Sequence, residues 1–146
     1  MAYGTYVRVP SDLDAEIDAV AEAGFESMVF SEHHGMPGYV PDPLAAATYV
    51  LGRAQTLRAG PMPILLPLHD PVHVAEAAAL ADALSGGRLV FGVAAGYYSR
   101  DFEQRGIDVG TRGDRLEEAT NIVRAIWRGE TGPFVGAHLN VPVQEP

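Results

Sequence analysis

The 146-residue sequence contains no cysteine, which excludes disulfide bonds, thiolate metal sites and a cysteine nucleophile. Positive charge is scarce, because ten Lys and Arg residues face nineteen Asp and Glu residues, for a formal net charge of −9. This balance argues against a nucleic-acid partner and against binding to an anionic membrane. No apolar run approaches the roughly 18 residues of a transmembrane helix, and the first residues lack a signal-peptide pattern. A soluble, cytoplasmic protein is therefore expected.

The rest of the chain is organised around residues 25–35. The apolar run at residues 28–30 is typical of a buried parallel strand, and it breaks abruptly into Glu32, His33, His34 and a glycine. The carboxyl ends of the strands are the edge at which parallel α/β sheets collect ligands and chemistry. We therefore expect the functional site at this edge.

Strand-like and helix-like segments alternate along the chain. Asp42-Pro43 and Asp70-Pro71 each combine a helix N-cap with a proline at the first helical position. Loops are predicted at residues 35–43 and 99–110, and residues 129–146 form an irregular or hairpin tail. Strands are predicted at residues 5–9, 28–30, 64–66 and 88–93, and helices at residues 13–23, 44–56, 72–84 and 112–127.

This order predicts an α/β fold made of about four βα units. A complete (β/α)8 TIM barrel takes about 250 residues, or about 31 per unit, so four units should end near residue 125. The last predicted helix ends at Trp127. Residues 1–146 therefore match a single domain that is half a barrel, with open strand edges that another chain or a longer protein would complete. A small open α/β sheet is the structural alternative.

The polar residues at the end of the second strand are candidates for chemistry. His33 and His34 are adjacent, so they point to opposite faces of a strand, which is a poor geometry for one shared metal. No metal site is predicted. Glu32 is placed to orient an imidazole for acid–base or hydrogen-bond work. A strand-end histidine satisfied by backbone groups fits these residue types equally well.

Three further features border the predicted strand ends. The prolines around residue 63 predict a bulge or an unusual peptide bond near Met62 and Pro63. His69 and Asp70 precede a helix, where a structural role is favoured because Asp70 is explained as a cap. The small residues at 92–96 match no nucleotide motif but allow a flat ring to approach the backbone. The two tyrosines that follow would stack on such a ring or simply cover the strand ends.

Six ordered segments resemble the luciferase-like flavin-dependent monooxygenases, the family of bacterial luciferase and of F420-using relatives. The resemblance covers roughly residues 24–140 and implies a TIM barrel that uses reduced FMN or coenzyme F420, with O2 as a reactant of the flavin members. The segments are Ser31-Glu32-His33-His34-Gly35, residues 63–73, residues 82–93, residues 101–108, Arg115-Leu116-Glu117-Glu118-Ala119 and Ile126-Trp127-Arg128-Gly129-Glu130.

The resemblance also implies roles for individual residues. The family's histidine at the end of the second strand falls on His33, and its cis bulge after the third strand falls on Met62-Pro63, whose backbone would support the flavin ring. Luciferases carry a reactive cysteine and a phosphate-binding arginine where this chain has Ala94 and Ala95, so luminescence is not implied. The predicted site comprises His33 as the catalytic residue and, as cofactor contacts, Glu32, Met62, Pro63, Ala94, Gly96, Tyr97 and Tyr98.

Two functions are therefore expected as alternatives. The first is an FMN- or F420-dependent oxidoreductase or monooxygenase that binds its reduced cofactor at the carboxyl ends of the strands and acts on a small molecule. The second is a non-catalytic half-barrel that associates through its open strand edges. A homodimer, or a partner chain that completes the barrel, is expected in both cases.

Overall fold

The computed structural model of the protein describes residues 2–3, 7–8, 12–34, 36 and 39–144. These residues form two compact units. Unit 1 comprises Met1–Ile64 with Leu80–Val93, and unit 2 comprises Leu65–Ala79 with Ala94–Pro146. Helices combine with a parallel strand pair, so the predicted α/β class is confirmed. The half-barrel architecture stays a prediction.

Helices and short strands alternate between residues 13 and 61, and three helices and a strand pair follow, with 3-10 turns at Leu66–Leu68 and Val109–Thr111. No helix among the described residues has the length and apolar character needed to cross a bilayer. The helices are α1 (Leu13–Glu22), α2 (Pro43–Arg53), α3 (Pro71–Ser85), α4 (Ser99–Glu103) and α5 (Arg112–Trp127). The strands are β1 (Ala2–Tyr3), β2 (Val7–Arg8), β3 (Ser27–Phe30), β4 (Arg58–Pro61), β5 (Phe134–Val135) and β6 (Asn140–Val141).

Aspartate caps start three of the helices, and two of these caps, Asp42 and Asp70, are predicted from the sequence. Oδ1 of Asp12 and of Asp42 accepts the backbone N–H three residues further on, at 3.0 and 2.9 Å. Asp70 Oδ1 accepts the N–H two residues on, at 2.8 Å. Each cap satisfies a donor that has no partner inside the helix. Helix α2 ends at Arg53, three residues before the predicted end, because Ala54 is extended.

Helix α5 covers residues 112–127, as predicted, whereas the loop predicted over residues 99–110 is wrong in part. That stretch contains α4 and the second 3-10 turn. The cause is Phe102, which is fully buried and packs with Leu65 and Leu68 in the core of unit 2. A single aromatic anchor in a polar segment gives no periodic pattern, so the sequence did not predict α4.

Unit 1 is built on the parallel pairing of β3 with β4, in which Val29 lies opposite Gly60. The third strand therefore lies at residues 58–61, and its prediction at residues 64–66 is wrong. Pro61 and Pro63 have no N–H, so the ladder cannot continue through this region as regular strand. Of the predicted first strand, only Val7 and Arg8 lie within the described residues, and they pair antiparallel with β1.

The predicted fourth strand is an extended segment, residues 88–93, rather than a continuous strand. It runs parallel to β4 and forms single bridges, from Leu89 to Ala59 in β4 and from Val93 to Ile64 just beyond it. The N–H groups of Val90 and Gly92 donate to β4 carbonyls, both at 2.9 Å, and the Gly92 carbonyl accepts from Ile64 at 2.9 Å. A Cβ on Gly60 would lie 1.4 Å from the Val90 carbonyl oxygen, so only glycine permits this close approach.

Arg88 connects this extended segment to helix α2. Its guanidinium donates to the carbonyls of Leu51 (2.7 Å), Ala54 (2.7 Å) and Leu57 (2.6 Å). Nε donates to the Ser85 carbonyl at 2.8 Å. These acceptors lie at and just beyond the end of α2, where helix carbonyls lack internal partners and a positive charge is favourable. Arg88 therefore caps α2 and positions the start of residues 88–93.

The core of unit 1 lies between the sheet and helices α1 and α2. On the outer side, the Tyr49 hydroxyl of α2 donates to Asp14 of α1 at 2.9 Å. This hydrogen bond, with the negative charge of Asp14, raises the pKa of the Tyr49 phenol. The buried core residues are Ile17, Ala47, Val50, Leu51, Ala54, Leu57 and Ala59.

Candidate active site

The bulge at Met62 and Pro63 is hydrogen-bonded to the end of β3. The Met62–Pro63 peptide bond is cis, which confirms the predicted irregularity. Ser31 Oγ donates to the Met62 carbonyl at 2.8 Å, and the Glu32 N–H donates to the Pro63 carbonyl at 3.1 Å. The Met62 N–H donates to the carbonyl of Phe30 at 2.7 Å. Neighbouring groups thus hold the Met62 N–H and the carbonyls of Met62 and Pro63. We call these two residues the bulge platform.

The platform presents an apolar surface. Met62 is 47% exposed, although the polar groups of its backbone are hydrogen-bonded. A Cβ on Gly92 would lie 2.8 Å from the Met62 Sδ and 3.1 Å from the carbonyl oxygen of Pro61. Gly92 therefore leaves the space that the Met62 side chain occupies.

Glu32 is a buried carboxylate beside this platform. The residue is 1% exposed, and its Oε1 lies 2.6 Å from Nε2 of His34, whose side chain is 13% exposed. A buried carboxylate needs such a partner, because burial without one would be costly. The imidazole that Glu32 contacts in unit 1 is therefore that of His34, a choice that the sequence left open.

His33 is 6% exposed and has different neighbours. Its ring makes an edge-to-face contact with Tyr39, with 4.6 Å between ring centroids and 80° between ring planes. The backbone N–H of His33 donates to the Val40 carbonyl at 3.4 Å, and the backbone N–H of Val40 donates to the Ser31 carbonyl at 3.3 Å. The two histidines thus contact different groups, as expected for adjacent residues at the end of a strand.

Sequence reasoning missed Tyr39 and Ser31. Tyr39 lies in a stretch rich in glycine and proline that reads as a connection, and no spacing rule relates it to His33. Ser31 carries only the weak signal of a polar residue after an apolar run. Both contacts depend on how the chain returns after β3, which only the tertiary structure shows.

Four of the predicted cofactor contacts belong to unit 2. Ala94 packs against the core of that unit, and Gly96 has a positive φ of 77°. A Cβ on Gly96 would lie 3.1 Å from the Phe102 ring. Tyr97 is 72% exposed, and Tyr98 immediately precedes helix α4. The other four predicted residues, Glu32, His33, Met62 and Pro63, lie in unit 1, and the role of the unit 2 residues stays a prediction.

A second polar arrangement in unit 2 holds the C-terminal hairpin that β5 and β6 form. The Glu118 carboxylate of α5 accepts the backbone N–H groups of Ala137, His138 and Leu139 at 2.9 to 3.3 Å. Burial acts to raise the pKa of Glu118, but these three donors and the charge of His138 outweigh it, so the pKa is lowered. A Cβ on Gly136 would collide with this carboxylate.

A cavity of about 460 Å³ lies between α5 and this hairpin. Ile122 and Ala125 line it from the helix, and Phe134 and Leu139 line it from the hairpin. None of the predicted site residues contributes to its lining. The cavity therefore shares no lining residue with the candidate active site of unit 1.

The α/β fold agrees with comparisons to known proteins. A sequence profile described as luciferase-like monooxygenase matches residues 2–146. The chain belongs to the luciferase-like monooxygenase family. It is 38% identical over 89 residues to the alkanal monooxygenase alpha chain of Photorhabdus luminescens, an alignment that covers 60% of this chain and 25% of that protein.

Solved structures share the fold. One is the oxygenating constituent of 3,6-diketocamphane monooxygenase from the CAM plasmid of Pseudomonas putida, in complex with FMN. It matches with a TM-score of 0.80 and 23% identity over 98% of this chain and 42% of its own. An F420-dependent secondary alcohol dehydrogenase, in complex with an F420-acetone adduct, matches with a TM-score of 0.81 and 19% identity. That match covers 95% of this chain and 44% of the dehydrogenase.

The chain thus spans a quarter of the curated alkanal monooxygenase and less than half of each of these solved structures. The structural similarity concerns the fold alone at these identities. What the relatives bind and catalyse bears on this chain as a proposal.

Proposed function

We propose that this chain carries the cofactor-binding edge of a flavin-dependent oxidoreductase, with FMN as the cofactor and coenzyme F420 as the alternative. The observation that carries the proposal is the bulge platform of Met62 and Pro63, held by Ser31 and Glu32 next to His33. Family membership supports it, as does the similarity to one enzyme solved with FMN and to another with an F420 adduct.

The chemistry of the platform fits a flat, largely apolar ring system. Met62 offers an exposed, polarisable side chain, which adapts its shape to an aromatic face. The Met62 and Pro63 carbonyls already accept hydrogen bonds from the β3 end. A ring that packs against the platform would therefore not bury an unpaired carbonyl, so the polar cost of burial is avoided.

His33 is the proposed catalytic residue, because an imidazole can hold or pass a proton near neutral pH. Its low exposure keeps bulk water away from the ring. Glu32 positions the adjacent His34 and, through its N–H, the platform. A reduced flavin supplies the electrons of the reaction, while the protein supplies binding, orientation and exclusion of water.

The remaining parts of the proposal concern partners. A small-molecule substrate is expected, with O2 as a second reactant where the cofactor is FMN. Ala94, Gly96, Tyr97 and Tyr98 are proposed as further cofactor contacts. We also propose a half-barrel architecture that a second copy or a partner chain completes.

Cofactor titration of the purified chain tests the proposal. FMN and F420 are added separately, and binding is followed by the change in cofactor fluorescence. Met62→Gln should weaken binding roughly five- to tenfold, because part of an apolar side-chain contact is lost. The control is Leu84→Gln, which replaces a residue that is 76% exposed on α3 and should leave binding unchanged.

Two outcomes would count against the proposal. If Met62→Gln and Leu84→Gln bind the cofactor equally well, the platform does not contact it. If the folded chain binds neither cofactor but forms a stable dimer, the non-catalytic, self-associating half-barrel is the better interpretation. Where turnover is measurable, His33→Gln should lower kcat and leave cofactor affinity nearly unchanged.

A further inference from the structure

We propose that Tyr39 is a positioning residue that fixes the orientation of the His33 imidazole. The relevance of this orientation to a reaction rests on the proposed function, but the orientation itself can be tested without any cofactor. No motif of the resemblance includes Tyr39, and the inference comes from its place beside the end of β3.

The ring contact is direct. The Tyr39 and His33 rings are perpendicular to within 10°, since their planes make an angle of 80°, and their centroids are 4.6 Å apart. Edge-to-face pairs at this separation are favourable, because the positive edge of one ring meets the negative face of the other. The preference is geometric, so it acts on the orientation of the imidazole as well as on its position.

The backbone places the Tyr39 ring there. Val40 pairs with Glu32 as a single parallel rung beyond β3. Two hydrogen bonds form this rung, from the His33 N–H to the Val40 carbonyl (3.4 Å) and from the Val40 N–H to the Ser31 carbonyl (3.3 Å). Because Tyr39 immediately precedes Val40, the pairing of Val40 beyond the end of β3 also places Tyr39 beside His33.

An imidazole needs such a constraint in order to act. The final side-chain torsion of histidine has broad preferences, so the rotamer alone does not fix the plane of the ring. An edge-to-face neighbour fixes that plane, and with it the plane in which both ring nitrogens can meet a ligand. Glu32 holds the ring of His34, whereas Tyr39 packs against the ring of His33. The two adjacent histidines are thus oriented by different residues.

The substitution pair Tyr39→Phe and Tyr39→Leu separates orientation from hydroxyl chemistry. Phenylalanine keeps the ring, and leucine keeps apolar bulk without it. The sequence has five histidines, so a ¹³C–¹H spectrum of ring-labelled, cofactor-free protein has few signals, and the one lost in His33→Gln identifies His33. Tyr39→Leu should move this signal, because the ring current disappears, while Tyr39→Phe should leave it near the wild-type position.

A functional readout accompanies the spectrum. If turnover depends on the His33 orientation, Tyr39→Leu should lower kcat roughly two- to tenfold, the range expected from loss of one aromatic pair, and Tyr39→Phe should keep kcat near the wild-type value. The signals of His73 and His138, which lie elsewhere in the chain, should stay in place in both variants and so exclude general unfolding.

The inference is overturned if the His33 signal of Tyr39→Leu coincides with that of the wild type, or if Tyr39→Phe moves it as much as Tyr39→Leu does. Failure of the proposed function is a separate result. A chain that binds neither FMN nor F420, yet shows the expected shift in Tyr39→Leu, would disprove the cofactor site and leave the contact between the Tyr39 and His33 rings intact.

Discussion

Replacement of Arg88 by alanine tests how the extended segment at residues 88–93 is held against unit 1. The guanidinium donates four hydrogen bonds to carbonyls, three of them at and beyond the end of helix α2. Arg88→Ala would remove these donors together with a positive charge that is favourable at a helix C-terminus. The carbonyls that lose this partner would then need water or would stay unpaired.

The expected loss is about 3 kcal/mol of the free energy of unfolding. One hydrogen bond to a charged group contributes about 1.5–3 kcal/mol, but four bonds from one side chain are not additive, and partial access of water reduces the cost. Arg88→Lys should recover only part of this loss, because an ammonium is a compact point charge that cannot replace the planar fork of donors.

Urea unfolding followed by far-UV circular dichroism measures the effect. With a slope of about 1–3 kcal/mol per molar urea for small proteins, the midpoint of Arg88→Ala should fall by roughly 1–3 M. The control is Arg53→Ala, since Arg53 is 43% exposed in its ion pairs with Asp14 and Asp18, and should cost less than about 1 kcal/mol. The reasoning is refuted if the two alanine variants have the same midpoint.

Two further predictions concern a glycine and a carboxylate. Gly60→Ala should destabilise the protein by about 3 kcal/mol or prevent folding, because its Cβ would meet the Val90 carbonyl. Gly52→Ala, which faces open space on α2, should instead stabilise by roughly 0.5–1 kcal/mol in the same urea assay. Equal effects of these two substitutions would contradict the close approach of β4 to residues 88–93. The lowered pKa of Glu118 means that its carboxylate stabilises the fold above the ordinary pKa of 4.5 and loses this contribution as the pH falls through the folded value. Urea midpoints at about pH 7 and about pH 3 should therefore differ less in Glu118→Gln than in the wild type, with the exposed Glu117→Gln as the control. An unchanged pH dependence would show that the hairpin does not depend on this carboxylate.

Local signals in the sequence predicted the helices well. The aspartate caps, the proline at the first helical position and the apolar periodicity of α5 depend on residues close in the chain, and the structure confirms them. The strands were harder. The third strand was predicted too late, and residues 88–93 form only single ladder contacts, because the prolines at the end of β4 interrupt the hydrogen-bonding pattern.

For the site, the sequence predicted residue types and one backbone feature. The cluster at the end of β3 and the irregular Met62–Pro63 bond could be anticipated, since both follow from short motifs. The sequence did not predict the choice of His34 over His33 as a contact of Glu32, nor the approach of Tyr39 to His33. The approach of Tyr39 does not follow from spacing along the chain, whereas Glu32 and His34, two residues apart, share one face of an extended segment.

The amino-acid sequence by itself determined the α/β class, the helix starts, the family and the strand end at which polar side chains gather. These features depend on periodicity, caps and motifs, and all three are formed by residues that lie close together in the chain. Only the tertiary structure decided how the bulge platform is held, because the hydrogen bonds from Ser31 and Glu32 to Met62 and Pro63 cross about thirty residues of chain. Such contacts arise when separate strands meet, so they depend on the packing of the whole unit.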